Sequence, residues 1–150
     1  MRCLGIDYGE RRVGLSFGDE IGVATPLPAL DGSDRREGFP DLHRVVTERR
    51  ITDLVIGYPL NMDGSVGFKA REVDAFIEEL ERHFNLAIHR VDERLTTEEA
   101  RARLPKGRDD ALRRSGRIDS MAATIILQDF LDQYSGIGMP TDEMGEGPPP

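Results

Sequence analysis

Leu4-Gly5-Ile6-Asp7-Tyr8-Gly9-Glu10-Arg11-Arg12-Val13-Gly14-Leu15-Ser16-Phe17 sets the architecture of this chain. Leu4–Tyr8 and Val13–Phe17 are apolar runs of strand length, and the turn Gly9-Glu10-Arg11-Arg12 between them folds the second strand back on the first. A third short strand is predicted at Ile21–Ala24, which makes an antiparallel opening. Asp7 closes the first strand. In an extended chain Cys3, Gly5 and Asp7 share one face, so Gly5 is expected to leave room beside the acid for ions or a phosphate.

Farther along, the period changes. Asp31–Arg36 is polar and turn-rich, and Leu42, Val45 and Val46 then fall at helical spacing in a helix that ends near Arg50. Asp53–Gly57 centres on Leu54-Val55-Ile56, an apolar run suited to a parallel strand buried on both faces. The loop Tyr58–Gly64 follows. Val66, Ala70, Val73, Ile77, Leu80 and Phe84 step by four and three, one stripe of a long helix. Leu86–Val91 reads as a strand, and Thr96 with Glu99 forms a capping box for a helix that Pro105 and Gly107 stop. The last helix is predicted at Ile118–Tyr134. The pattern implies an α/β domain over residues 1–134, a mixed five-stranded sheet with helices on both faces. Residues 135–150, rich in glycine, proline and acid, are expected to be a disordered tail.

The chain has 150 residues and a net charge of −8, long enough for one domain with a core and too short for two of ordinary size. No apolar run reaches the ~18 to 20 residues that a membrane span needs. Neither a secretory leader nor a cysteine pair is evident, since Cys3 is the one cysteine, so a cytoplasmic location is expected. Net acidity argues against nucleic acid, because phosphate binding draws on Lys and Arg. The charge is uneven, however. Between Arg101 and Arg117 seven basic residues stand against two acids, and Arg113, Arg114 and Arg117 are candidate phosphate contacts within that stretch. A solvated helix face is the alternative.

Three carboxylates sit where folding gains little from them: Asp7 at a strand end, Glu93 just past another strand, and Asp119 at the start of the last helix. Met121-Ala122-Ala123 would let that helix approach the sheet closely. Ligands of open α/β sheets bind at the carboxyl ends of the strands, where Asp7 and Glu93 belong. Clustered carboxylates repel one another unless cations bind, and all-oxygen ligation selects Mg²⁺ or Mn²⁺. Two such ions roughly 3.5 to 4 Å apart activate water and stabilise the leaving oxygen of a phosphodiester. Each acid also has a structural alternative: Asp7 in a turn, Glu93 paired with Arg94, Asp119 as a helix cap.

Four blocks, Gly5 to Gly14, Gly57 to Ser65, Asp92-Glu93-Arg94-Leu95-Thr96-Thr97, and Asp119 to Ala123 with Ile126-Leu127-Gln128, together resemble the YqgF/RuvX family in order and spacing, over roughly residues 2 to 134. The resemblance implies a ribonuclease H-like fold similar to that of Holliday junction resolvases. It also implies an endonuclease acting on RNA, in maturation of the 5′ end of pre-16S ribosomal RNA, within pre-ribosomal particles. Carried over by block, the metal acids are Asp7, Glu93 and Asp119, with Asp92 the rival to Glu93; adjacent strand residues point to opposite faces, so at most one of the two joins Asp7. Arg11, Arg12 and Arg94 could hold phosphate, and Asn61 and Ser65 could contact the backbone or order the loop. Tyr8 and Tyr58 could stack on bases or pack at strand edges, and His43, His83 and His89 lack metal-ligand spacing. Tyr58 stands where many relatives have leucine, and the acidic tail departs from the family pattern.

A resolvase acting on branched DNA is the alternative substrate reading, and a non-catalytic RNA-binding module the rival from another class. The Asp-x-Gly turn also resembles the phosphate loop of sugar-kinase-type ATPases, which need a second domain that this length does not provide. No spare apolar helix announces an interface, so a monomer or weak homodimer is expected.

Overall fold

Alternation along the opening strands is what the tertiary structure is built on. The structure, a computed structural model, describes residues 1–95 and 118–137. Its five strands are β1 (Cys3–Asp7), β2 (Arg12–Gly18), β3 (Thr25–Asp31), β4 (Asp53–Tyr58) and β5 (Ala87–Asp92), in the spatial order β3-β2-β1-β4-β5. β1 pairs antiparallel with β2 and parallel with β4; β2–β3 is antiparallel and β4–β5 parallel. The sheet is therefore mixed, with β1 at its centre. Leu4 and Ile6 turn to one face with Leu54 and Ile56, while Cys3, Gly5 and Asp7 turn to the other with Val55.

The third strand corrects the sequence reading. It runs over Thr25–Asp31, not Ile21–Ala24, and Ile21 lies in a turn with 84% of its surface exposed. Pro26 and Pro28 disfavour a strand locally, but β3 is an edge strand, where a missing N–H costs no ladder bond if it faces outward. Leu27 and Leu30 are its buried residues.

One face is covered by α2 (Pro40–Glu48) and α3 (Phe68–His83), whose Leu42, Val73, Phe76, Ile77 and Leu80 are buried against β1 and β4. The short α1 (Ser33–Arg36) precedes them. It places the buried Asp34, which accepts the N–H groups of Asp41 (2.8 Å) and Leu42 (3.1 Å) and so supplies the cap that Phe39 cannot. The stripe predicted for α3 holds from Ala70 onward. Val66 lies before the helix and is exposed.

Among the described residues the other face carries one helix, α4 (Met121–Ile137), entered through a 3-10 turn at Ile118–Ser120 and extending three residues beyond Tyr134. It lies unusually close to the sheet. A Cβ on Gly5 would stand 2.7 Å from Leu127 Cβ and 2.9 Å from the Ala123 carbonyl, and one on Gly14 2.6 Å from the Asp119 carbonyl. The buried Ser16 hydroxyl donates to that same Ala123 carbonyl at 2.8 Å. The space beside Gly5 is therefore filled by helix, which corrects the expectation of room for ions there. The capping box at Thr96 and Glu99, the basic stretch with Arg113, Arg114 and Arg117, and the tail from residue 138 lie outside the described residues.

Candidate active site

Asp7 ends β1 on the α4 face, level with Gly14 of β2. Burial pushes its carboxyl pKa up, because the ionised form loses hydration that its surroundings do not replace. On the other side of β1 the parallel register sets Ile6 against Ile56, so one residue on Asp7 comes level with Gly57. Over Gly57 lies the carboxylate of Glu93: a Cβ there would stand 2.8 Å from Glu93 Oε2 and 2.5 Å from Ile126 Cδ1. Glycine at 57 thus makes the cradle in which Glu93 rests. Asp7 and Glu93 line one cleft of about 270 Å³ at the carboxyl ends of the strands, with Gly9 and Glu10 on one side and Lys69 and Glu72 of α3 on the other.

Asp92 and Glu93 have different surroundings. Asp92 pairs with Tyr58 at the end of β5. Its carboxylate takes Arg94 Nη2 at 2.7 Å and Nε at 3.1 Å, which holds its pKa below the usual carboxylate range. Arg94 is thereby committed to Asp92. It also donates through Nη1 to the Met62 carbonyl (3.2 Å) and lies along Gly64, bracing the β4–α3 loop.

Asp119 sits in the 3-10 turn that passes over Gly14. The turn is held to β2 by Ser120, whose hydroxyl accepts the Leu15 N–H at 2.9 Å. Ser120 is a buried positioning residue that sequence reasoning missed; a small hydroxyl side chain directly after a candidate acid is the signal that points to it. The Asp119 carboxylate is turned to Arg12 Nε at 3.4 Å, so Arg12 is engaged by a candidate acid, while Arg11 is exposed. Among the described residues no three His, Cys, Asp or Glu side chains close around a common point. The structure brings Asp7 and Glu93 into one cleft, and Asp119, whose carbonyl lies over Gly14, is not among that cleft's lining residues.

The softer candidates have local partners. Asn61 Nδ2 donates to Ser65 Oγ (2.9 Å) and Ser65 to Asp63, so both order the loop. Tyr8 packs on Phe76 and accepts from Arg35 (3.0 Å), and Tyr58 donates to Asp74 (2.8 Å): both tyrosines take the packing alternative. His43 and His83 pack with Phe84 and Phe39, and His89 bonds Asp53 (2.8 Å). Lys69 and Glu72 are cleft residues that the helical stripe hides, since along the chain they belong to the polar side of α3.

In chemistry, the candidate donors suit a hard divalent cation. All are carboxylate oxygens, one is desolvated enough to be held up in pKa, and another rests in a cradle that any Cβ would fill. A profile of the RuvX family, described as Holliday junction resolvase, matches residues 1–133. A protein of Opitutus terrae named "Putative pre-16S rRNA nuclease" is 55% identical over 134 residues, 89% of this chain and 92% of that one. One of the same name from Rippkaea orientalis is 40% identical over 131 residues, 87% and 94% of the two chains. Thermus thermophilus RuvC in complex with a Holliday junction substrate superposes with a TM-score of 0.54 at 15% identity, covering 91% of this chain and 96% of that one, which is a likeness of fold.

Proposed function

The chain belongs to the RuvX family, and on that premise we propose that it is a metal-dependent endonuclease that hydrolyses phosphodiester bonds in maturing the 5′ end of pre-16S ribosomal RNA. The observation that carries the reading is the shared cleft of Asp7 and Glu93 at the strand ends, with Asp119 in the turn that Ser120 ties to β2. These three acids would hold Mg²⁺ or Mn²⁺. When bound, such ions activate water and stabilise the leaving oxygen. The chain's own side chains do the rest. Lys69 offers the cleft a positive charge for substrate phosphate. Arg12 can exchange Asp119 for a phosphate oxygen, because an ion pair with both side chains about half exposed is worth only ~0 to 1 kcal/mol. Arg113, Arg114 and Arg117 are proposed to guide the strand from outside the cleft.

The protein is proposed to act in the cytoplasm on pre-ribosomal particles as a monomer or weak homodimer; no helix among the described residues is long and apolar enough to cross a membrane. Resolution of branched DNA is the second reading, favoured by the family's description. Nicking two symmetric strands calls for a twofold dimer and a broad basic face, whereas the positive charge here is concentrated in one stretch of a net-acidic chain. The test compares 5′-extended 16S precursor RNA with immobile four-way DNA junctions under Mg²⁺ and Mn²⁺, with Asp7→Asn as control. Cutting of RNA in preference is expected; paired symmetric junction nicks with inert RNA would overturn the assignment.

A further inference from the structure

Among the described residues, six large apolar side chains are well exposed, and three of them fall within the seven residues Met62–Phe68: Met62 at 88%, Val66 at 47% and Phe68 at 69%. Such a patch is costly in water unless something covers it. The loop that carries it starts and ends at the acid cleft, since Pro59 and Lys69, on either side of it, both line that cleft.

The loop is prebuilt. Its chain is closed by Asn61 N–H to the Ser65 carbonyl (3.0 Å) and Gly64 N–H to the Asn61 carbonyl (2.8 Å), with Gly64 at φ +89°. Asn61 packs against Gly67, and Arg94 ties Met62 to Asp92. Apolar groups held on a rigid turn bind with little further loss of freedom.

We propose that the β4–α3 loop is a platform for unpaired nucleobases: Phe68 and Met62 take bases of a single strand, Lys69 takes the phosphate between them and the scissile bond, and Arg94 holds the platform beside Glu93. The occupant follows from its neighbours. An acid cleft that works on phosphodiesters brings bases and phosphates together to its lip, and an aromatic next to a lysine matches that alternation. Gly67 brings no side-chain cap to the amino end of α3, so the positive end of that helix faces the same phosphate. A base has a π-face whatever its identity, so the platform selects unpaired over paired strands without reading sequence. Arg94 acts here as a positioning residue.

This inference rests on the nuclease reading and can fail separately from it. The probe is a single-stranded RNA oligonucleotide with 2-aminopurine, an abasic counterpart and a duplex of the same length, bound to protein carrying Asp7→Asn so that none is cut. Phe68→Ser with Met62→Ser should weaken single-strand binding about tenfold or more, abolish the 2-aminopurine quench, and leave abasic and duplex binding unchanged; Phe68→Tyr should restore the quench. Both side chains are exposed, so the thermal midpoint should hold. Unchanged affinity and quench, or an equal loss on the abasic strand, would overturn the platform, the first pointing to another partner for the patch. Cleavage by the protein with Asp7 intact is followed in parallel: failure to cut any nucleic acid, with the quench still lost in the double variant, removes the nuclease reading and leaves the platform standing.

Discussion

Substituting Gly5 by alanine tests why a glycine stands two residues before the buried acid. The added Cβ would stand 2.7 Å from Leu127 Cβ and 2.9 Å from the Ala123 carbonyl, and would also collide with Ser16 Oγ. Carbon atoms in contact sit about 3.5 to 4.0 Å apart, so α4 must withdraw by roughly 1 Å. Leu127 Cβ and the Ala123 carbonyl cannot swing aside, and Ser16 Oγ is held by its hydrogen bond to that carbonyl. Overpacking of this kind costs about 1 to 3 kcal/mol, and straining the Ser16–Ala123 hydrogen bond adds about 1 kcal/mol. Reduced freedom of the unfolded chain returns about 0.4 to 1 kcal/mol. The net loss is about 1 to 3.6 kcal/mol, which at about 2 to 4 °C per kcal/mol for a domain of this size lowers the midpoint by about 2 to 14 °C. Calorimetry with and without Mg²⁺ measures it. Because the 3-10 turn that holds Asp119 and Ser120 leads directly into α4, cleavage should fall as well. If Gly5 instead served to leave space for an ion or phosphate, the variant would melt like wild type and lose only binding; a midpoint within about 1 °C of wild type refutes the packing argument.

Asp7→Asn, Glu93→Gln and Asp119→Asn should each reduce cleavage to background with the far-ultraviolet spectrum unchanged, and in chelator the Asp7→Asn protein should melt above wild type, since burial disfavours that carboxylate; wild-type turnover by any one of them sinks the assignment of that acid. Replacing Arg113, Arg114 and Arg117 by serine should weaken RNA binding evenly across sequences and flatten its salt slope by roughly 0.7 to 0.9 for each phosphate left unneutralised, and an unaltered slope would mark the stretch as solvated surface. Glu79 accepts from Arg35 Nε and Nη2, each at 2.7 Å, which holds its pKa below the ordinary 4.5. Its contribution is therefore fully present above about pH 4.5 and lost as pH falls through the lower folded value. Glu79→Gln should cost at most about 1 kcal/mol at about pH 7, the pair being partly exposed, with the gap to wild type closing in acid; a gap that persists at about pH 2 would show that packing and not charge is lost.

Much of the architecture is legible along the chain because it depends on neighbours close in sequence. The period of two in Leu4–Phe17 is enough for a hairpin, and the stripe from Ala70 to Leu80 is enough for a helix and its buried side, since each element must hide one face whatever it packs against. Asp7 and Glu93 stand out for the same local reason, as acids at strand ends. What sequence could not supply involves partners far along the chain. The third strand uses Thr25–Asp31 because an edge position tolerates Pro26 and Pro28, and edges exist only once the strand order is set. Gly5 reads as space for an ion until α4, more than a hundred residues later, is seen to fill that space. Arg94 faces Asp92 and the loop, and Arg12 meets Asp119, because the parallel register and the seat of the 3-10 turn aim those side chains. Lys69 and Glu72 join the cleft only when α3 docks with its amino end over the strand ends. The chain's periodicity encodes which face of an element must be buried; which distant residue it then meets depends on strand order, register and the distance at which α4 settles, and those come from packing the whole.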